Sequence, residues 1–336
     1  MQLHSLAYHV TRDCTITACL GLVVATTIVL ASGAAVGAGP SEIAIPGDRA
    51  FPESLSSSSD GTVFIGSFAE GGIFRVAPGA AAAEPWIKPG ANGSRSILGV
   101  LADESSQTLW ACSNDLSASG VVTPGTAKGG ALKVFDLKTG SPKGSASLPG
   151  DRTLCNDIAI GPDAAAYATD SFNPHVLRLK PGGSELEIWA TDPRFAVKVG
   201  AGLDGITFGS DGNAYVTTFN GNGLFRIEVA PDGRAGQITQ LQTSRSIELP
   251  DGMRRYGSNT LLMIEGAGRF DLVTVNGDKA KIDTIKEGYN GPVSVTQIGN
   301  TAWVLEGQLP YLLDPKMKDQ KPRLPFRAYA VPLPSP

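Results

Sequence analysis

Residues 60–76 read DGTVFIGSFAEGGIFRV, and residues 211–227 read DGNAYVTTFNGNGLFRI. In both stretches an Asp-Gly turn precedes an alternating apolar and polar run, and a polar turn separates this run from a second one. Alternation with a period of two is typical of half-buried β-strands, and pairs of Gly, Asn and Asp favour hairpin turns. The two stretches therefore predict the same antiparallel hairpin, used more than once.

Four weaker copies of this pattern extend it along the chain. They lie at residues 107–115 (continued at 129–137), 163–179, 259–275 and 300–313. A further short apolar segment precedes each copy, reading FPESL, ILGVLA, CNDIAI, LDGITF, PDGMRR and GPVSV in chain order. The spacing is close to the roughly 40–50 residues of a propeller blade. Each unit thus has three predicted strands and room for a fourth.

Six such units predict an all-β fold, a six-bladed β-propeller with four-stranded blades around a central channel, formed by residues 39–336 as one domain. Radial repetition leaves only short strand edges exposed. The terminal segments SEIAIPG (41–47) and FRAYAVPL (326–333) are expected to complete one blade and close the ring. Residues 117–130 form an insertion, predicted as a surface loop. A β-sandwich is the structural alternative, but it does not account for six copies.

The N-terminal segment has a different character. Residues 16–38 carry no charge and end in Val36-Gly37-Ala38, which fits the small-x-small pattern of a signal-peptidase site. The stretch is also long enough to span a bilayer, which takes about 20 apolar residues. Residues 1–38 are therefore predicted to be a signal peptide or an N-terminal membrane anchor, and the remaining chain is predicted to be periplasmic or secreted.

The charge balance excludes one class of partner. The formal net charge is −4, only 18% of residues are charged, and no run of like charges occurs. A nucleic-acid partner requires a concentrated basic surface. We therefore expect a small-molecule ligand, no nucleic acid, no membrane contact beyond the N-terminal anchor, and a monomer.

The candidate site lies where the innermost strands begin, because these residues ring one mouth of a propeller channel. The positions hold Glu53, Leu98-Gly99, Asn156-Asp157, Asp204, Asp251 and Pro292. Calcium takes six to eight oxygen ligands, including carboxylates and Asn carbonyls. Carboxylates brought together without a cation repel each other, which raises their pKa values. The pattern predicts a divalent-cation site, although Asp-Gly pairs alone are also common turn residues.

Three segments resemble the signature segments of the gluconolactonase and senescence-marker-protein lactonase family, whose wider relatives include diisopropyl fluorophosphatase and paraoxonase. They are Phe51-Pro52-Glu53, Cys155-Asn156-Asp157 and Leu249–Met253. The resemblance implies metal ligands at Glu53 and Asp251, and with the positions in the repeat the predicted ligands are Glu53, Asn156, Asp204 and Asp251. It also implies that Asp251 is a general base, and that Asn156 is a metal or substrate contact.

This chain departs from the family pattern at three places. The first glutamate is followed by Ser54-Leu55-Ser56 instead of Gly-Pro and an aromatic residue, and Asp204 stands where relatives have asparagine. The substrate-gripping arginine usually lies two residues before the asparagine, whereas Arg152 lies four before Asn156. These differences weaken a sugar-lactone assignment more than they weaken the metal site.

We therefore predict a metal-dependent hydrolase of a lactone or related ester. One divalent cation would polarise the carbonyl, with calcium expected and zinc, magnesium or manganese as alternatives. Asp251 or Asp204 would accept a proton from water, and Arg152 would be a substrate clamp or a loop salt-bridge partner. A non-catalytic exported binding propeller with a structural metal is the alternative, and a strictosidine-synthase-like condensing enzyme is a third option.

The remaining cysteine and histidine residues are few. Cys112 and Cys155 are both expected at the site mouth, where they can form a disulfide in an oxidising compartment. His175 is the only histidine beyond the leader, so a Ser-His-Asp triad or a multi-histidine metal site is not expected.

Overall fold

Each sequence unit folds as an antiparallel sheet with its strands in chain order, and blades 5 and 6 each gain one further strand at the outer edge. The computed structural model describes residues 39–317 and 319–334, so the leader predicted at residues 1–38 lies outside the described residues. Strand β1 spans Glu42–Ile45. The strands of blade 1 are β2 to β5, at Pro52–Ser57, Val63–Ser67, Ile73–Val76 and Glu84–Ile87. Those of blade 2 are β6 to β9, at Ser96–Asp103, Thr108–Asn114, Gly130–Asp136 and Pro142–Ser147.

The remaining blades follow the same order. Blade 3 has β10 to β13, at Cys155–Ile160, Ala166–Asp170, His175–Leu179 and Glu187–Thr191. Blade 4 has β14 to β17, at Leu203–Phe208, Ala214–Thr218, Gly223–Val229 and Ala235–Gln240. Blade 5 has β18 to β22, at Gln242–Thr243, Pro250–Tyr256, Thr260–Glu265, Arg269–Asn276 and Lys279–Glu287. Blade 6 has β23 to β25, at Pro292–Ile298, Thr301–Glu306 and Phe326–Pro332.

Helical segments are short. The helix α1 spans Pro310–Leu313, and single 3-10 turns lie at Ala91–Gly93, Ser117–Ser119, Pro193–Phe195 and Pro315–Met317. Among the residues that the structure describes, no helix is long and apolar enough to cross a membrane.

The innermost strands form a closed ring around the channel. Each of β2, β6, β10, β14, β19 and β23 contacts the next, and β23 contacts β2 again. Five sheets have four strands, and blade 5 adds the two-residue β18 in parallel to its outer strand β22. The predicted six-bladed propeller with four-stranded blades is confirmed.

The first strand of the chain completes the last blade. Strand β1 pairs antiparallel with β25, with Glu42 opposite Tyr329 and Ile45 opposite Phe326. The side chains of Ile43, Ile45 and Phe326 are buried. The predicted closure by the two terminal segments is therefore confirmed. Apolar burial supplies its stability, because edge pairing alone contributes little in water.

One sequence copy was predicted wrongly in its second half. Residues 300–313 were read as two alternating runs, but only β24 is a strand, and residues 310–313 form α1. Pro310 stands at the first helical position, where its fixed φ fits and its missing N–H is not needed. The third strand of blade 6 is instead β25, after an insertion that lies at the channel mouth.

A tyrosine–aspartate hydrogen bond recurs within blades 3 and 4, and aromatic rings pack between these two blades. The hydroxyl of Tyr167 donates to Asp163 Oδ2 at 3.0 Å, and that of Tyr215 donates to Asp211 Oδ2 at 2.8 Å. Both acids thus cap the outer hairpin turns, as the sequence predicted for Asp211. Buried aromatic rings fill the interface between blades 3 and 4, where Tyr167 and Phe208 meet edge to face at 4.9 Å.

Candidate functional site

Every innermost strand breaks its register at the same point, next to the channel mouth. The pairing of each with its second strand shifts at Glu53, Leu98-Gly99, Asn156-Asp157, Asp204-Gly205, Asp251-Gly252 and Val293. A β-bulge of this kind bends the strand and redirects a side chain, and bulges are common beside active sites. The sequence had placed Pro292 at the sixth position; the structure corrects this to Val293, because the bulge follows Pro292.

Two glycines make the close approach of these bulges possible. A Cβ atom at Gly99 would overlap the carbonyl oxygen of Asn156, and one at Gly205 would overlap that of Asp251. Each bulge therefore packs backbone to backbone against the next blade. The Asp-Gly sequence at position 204 serves this contact and is not a hairpin turn.

The structure brings the four predicted ligands to one mouth. Glu53, Asn156, Asp204 and Asp251 are 6%, 5%, 4% and 7% exposed. The Asn156 Nδ2 donates to Asp204 Oδ2 at 3.0 Å and to Ser171 Oγ at 2.9 Å. This orientation leaves the amide oxygen without a hydrogen bond among the described residues. The Asp204 Oδ1 is likewise buried without a hydrogen-bond partner in the described part of the chain.

Burial and mutual repulsion govern the ionisation of the carboxyl groups. Burial raises the pKa of Asp251 well above its usual value, and the charges of Asp204 and Glu53 raise it further. Burial likewise raises the pKa of Glu53, with repulsion from Asp204 and Asp157 adding to it. The pKa of Asp204 rises to about 7, chiefly through burial. Since an opposite charge nearby favours ionised carboxylates, a divalent cation would reverse these shifts.

A buried ion pair that the sequence analysis did not predict crosses the channel beside the cluster. Arg254 of β19 donates to both carboxylate oxygens of Asp157 in β10, at 2.8 and 3.2 Å. The Arg254 charge lowers the pKa of Glu53 against the larger effect of burial. The sequence feature that could have indicated this ion pair is the basic residue Arg254 in DGMRR, on a strand expected to line the channel.

Two threonines on the second strands were also not predicted to contribute to the site. Thr169 Oγ1 donates to the carbonyl oxygen of Asp204 at 2.6 Å, and Thr217 Oγ1 donates to that of Asp251 at 3.2 Å. These carbonyls belong to bulged residues of the next blade. The threonines therefore fix the two bulges, and their equivalent positions in the two repeats were the feature that could have identified them.

The four ligand candidates line two connected features. A cavity of about 10 Å³ lies among them, about the volume that one water-sized sphere occupies. Above it a cavity of about 570 Å³ opens at the mouth, and the same four residues line it. Within the described residues, no three His, Cys, Asp or Glu side chains are already arranged to hold a metal ion. The oxygen donors thus line the same small cavity, and binding would require their side chains to adjust around the cation.

Arg152 is not brought into this cluster. Its side chain is exposed and lies over the ring of Phe172, with the guanidinium carbon 4.6 Å from the ring centre. His175 begins β12, where its Nδ1 lies 2.9 Å from Thr191 Oγ1. Neither side chain lines the large cavity.

Cys112 and Cys155 form a disulfide between blades 2 and 3. The Asn114 side chain holds the same segment, since it accepts from the N–H of Cys155 and donates to its carbonyl, both at 2.8 Å. These bonds fix the backbone of the residue directly before Asn156. The cross-link therefore stabilises one side of the site.

No protein-family model matches the chain, and no curated protein matches it. Solved structures are similar in fold at low identity. The major allergen Mala s 1 of Malassezia sympodialis has a TM-score of 0.67 and 15% identity, over 87% of this chain and 96% of that one. A gluconolactonase from Xanthomonas campestris has a TM-score of 0.61 and 16% identity, over 85% and 87%. A catalytically inactive virginiamycin B lyase from Staphylococcus aureus has a TM-score of 0.56 and 19% identity, over 78% and 80%. These likenesses show a shared, gluconolactonase-like propeller fold.

Proposed function

We propose that the chain is a metal-dependent hydrolase of lactones or related esters. One observation supports this above the others: four bulged strands bury Glu53, Asn156, Asp204 and Asp251 around a small cavity at the base of a larger one. Hard oxygen donors of this kind suit calcium best, with magnesium, manganese and zinc as alternatives. Asp204 Oδ1 is the donor most directly available to a cation, because it is buried without a hydrogen-bond partner in the described part of the chain.

The reaction uses groups of this chain as follows. A bound divalent cation would supply polarisation of the substrate carbonyl. Asp251 or Asp204 accepts the proton of the attacking water as its oxygen bonds to the carbonyl carbon. The ester C–O bond then breaks, and the leaving oxygen takes up the proton. Asn156 is held by Ser171 and Asp204 in an orientation that keeps its amide oxygen directed away from both.

The resemblance of the site segments to the gluconolactonase and senescence-marker-protein lactonase family supports the same function. The Xanthomonas campestris gluconolactonase shares the fold, although fold likeness alone does not assign chemistry. A histidine-dependent mechanism is disfavoured, because the one histidine of the described residues, His175, does not line the cavity.

Thermal unfolding with calcium and with chelator tests the metal site. Calcium at about 100 times its dissociation constant should stabilise the wild type by about 2.7 kcal/mol. For a domain of this size the midpoint rises by several degrees. The Asp251→Asn variant should lose this shift and its turnover on a lactone panel, because it loses a charged ligand and one of the two proposed bases.

Asp60→Asn is the matched control. Asp60 belongs to the same Asp-Gly pattern but caps an exposed turn, where it accepts from the Thr62 N–H at 2.8 Å. This variant should keep the full calcium shift. Wild-type activity in Asp251→Asn would contradict the proposal, as would equal unfolding midpoints with chelator and with each of the four metals.

A second candidate function is ligand binding without turnover. It is favoured by the absence, among the described residues, of three acidic or imidazole side chains already set for a metal. In this case the protein would bind a ligand in the large cavity, and no member of the lactone panel would be hydrolysed.

We also propose that the propeller is exported. The disulfide supports this, since such bonds persist in oxidising compartments. Mass spectrometry of the protein from a periplasmic or culture fraction would show whether the chain begins at Gly39.

A further inference from the structure

We propose that the large cavity binds the apolar part of the substrate, so that the preferred substrate is a neutral lactone or ester with an alkyl or aryl group and not a polyhydroxylated one. This inference rests on the proposed function for the reaction itself. It concerns the cavity walls, which the proposed reaction does not use.

The walls are built from apolar side chains that follow the second strands of blades 1 to 4. Phe68, Leu116, Phe172 and Phe219 each follow the second strand of their blade within two residues, and all four line the cavity. Leu98 adds a further apolar side chain, since it occupies the ring position at which four other blades carry a carboxylate or amide. A substrate hydroxyl against such a wall would lose its hydrogen bonds to water without replacement.

Polar groups of the cavity are confined to its base and its outer rim. The base holds the four candidate ligands, and the rim holds Ser119, Asn220 and Asp314. Two of the rim groups have internal partners: Asn220 Oδ1 accepts from the Ala201 N–H, and Asp314 Oδ1 accepts from the Lys316 N–H. The wall between base and rim therefore has little capacity to bind a sugar.

The charges of the lining restrict the ligand further. Among the described residues, no Lys, Arg or His side chain lines the cavity, whereas Glu53, Asp204, Asp251 and Asp314 do. Anionic substrates would be repelled. A neutral carbonyl group at the base, with its apolar part against the phenylalanines, satisfies both the charge pattern and the wall.

The insertion of blade 6 forms one side of the entrance. Leu309, Pro310 and Leu313 of this segment line the cavity, and Leu313 is 45% exposed. An exposed leucine beside a cavity becomes buried when an apolar ligand occupies it. Cavities of 300–1,000 Å³ with mainly apolar walls are typical of small-molecule sites, and about 570 Å³ lies within this range.

A δ-lactone series tests the inference. The value of kcat/KM with calcium is measured for δ-hexalactone through δ-undecalactone and for glucono-δ-lactone, with the uncatalysed rate subtracted. Each added methylene should raise kcat/KM about two- to fourfold until the cavity is filled. Phe219→Ser and Leu313→Ser should flatten this dependence. Ile188→Ser is the matched control, because Ile188 is 51% exposed on β13 and does not line the cavity.

A binding measurement separates this inference from the proposed reaction. N-phenyl-1-naphthylamine, a neutral fluorescent probe, should bind the wild type, and δ-undecalactone but not glucono-δ-lactone should displace it. This result supports the apolar site even if no lactone is hydrolysed, in which case the proposed function fails alone. Calcium-dependent turnover of glucono-δ-lactone equal to or faster than that of δ-undecalactone would overturn the inference and leave the hydrolase proposal standing. The inference would also be overturned if the probe did not bind. The same holds if dodecylamine, a cationic alkylamine, displaced the probe and δ-undecalactone did not, since the cavity would then select a positive charge.

Discussion

Arg254 and Asp157 form a charge pair that is almost entirely removed from water. The guanidinium is 13% exposed and the carboxylate 6%, and two hydrogen bonds join them. The carboxylate also accepts the N–H groups of Ile158 and Ile206. The desolvation of two ions opposes their attraction, so such a pair contributes little net stability, while a single remaining ion is strongly destabilising.

Arg254→Met should therefore lower the free energy of unfolding by about 3–5 kcal/mol, since Asp157 stays buried without its partner. The double variant Arg254→Met with Asp157→Leu should recover most of this loss. Urea denaturation of both variants and of the wild type gives the comparison. Equal free energies for the wild type and Arg254→Met would show that Asp157 is neutralised in another way.

The bulge at the start of each innermost strand is the element that turns a repeated hairpin into a site. Without it, alternation would direct the side chains at 204 and 251 along the ordinary pleat of the sheet. With it, the backbone turns each residue toward the neighbouring blade, and Thr169 and Thr217 bind the carbonyls that the ladder leaves free. Side-chain placement at the mouth thus depends on the contact between bulges.

Gly205→Ala should disturb this contact, because the added Cβ overlaps the carbonyl oxygen of Asp251. Overpacking of this kind costs about 1–3 kcal/mol, and the calcium-induced rise of the unfolding midpoint should shrink as Asp251 moves. Gly144→Ala on β9 is the control, since its Cβ would lie 3.7 Å or more from its neighbours. A full calcium shift in Gly205→Ala would mean that the bulge geometry does not set the metal site.

Features that recur at the same position of the repeat could be predicted from the sequence. Glu53, Asn156, Asp204 and Asp251 share one position in the repeat, so their common location followed from counting blades. The bulge adds one residue that the alternating pattern does not reveal, which is why Pro292 was named in place of Val293. Apolar residues 310–313 likewise read as a strand until the proline set a helical turn.

Contacts across the channel could not be predicted from the repeat. Arg254 and Asp157 are 97 residues apart and belong to blades that are not neighbours in the ring. Local periodicity says nothing about which side chains meet across an open space. The apolar wall was visible in the phenylalanine that follows the second strand of blades 1, 3 and 4, but its function depends on the curvature of the whole ring.

At the scale of the whole molecule, two features close and cross-link the ring: the pairing of the first strand with the last, and one disulfide. Strand β1 completes blade 6, and the disulfide joins blade 2 to blade 3. The cysteines are 43 residues apart, so their bond restricts the unfolded chain considerably. A chain-entropy treatment gives about 4 kcal/mol for a loop of this length.

The double variant Cys112→Ala with Cys155→Ala should therefore lose about 2–4 kcal/mol of the free energy of unfolding. Wild-type protein unfolded in reductant is the control and should show the same loss. The calcium shift should survive, because Asn114 still binds the backbone beside Asn156. A variant as stable as the oxidised wild type would show that the cross-link is dispensable.

The pairing of β1 with β25 has a consequence for biosynthesis. Arg327 and Glu42 hydrogen-bond across this seam although 285 residues separate them in the chain. Five blades contain all their strands in one continuous segment, so each can assemble soon after its last strand is synthesised. The sixth cannot, since its outer strand is made first and its partner last. Until translation reaches β25, the nascent chain carries Ile43 and Ile45 uncovered, together with an unpaired β24 edge. Unpaired strand edges and uncovered apolar residues favour aggregation, so the chain is exposed to it until β25 pairs with β1 and β24.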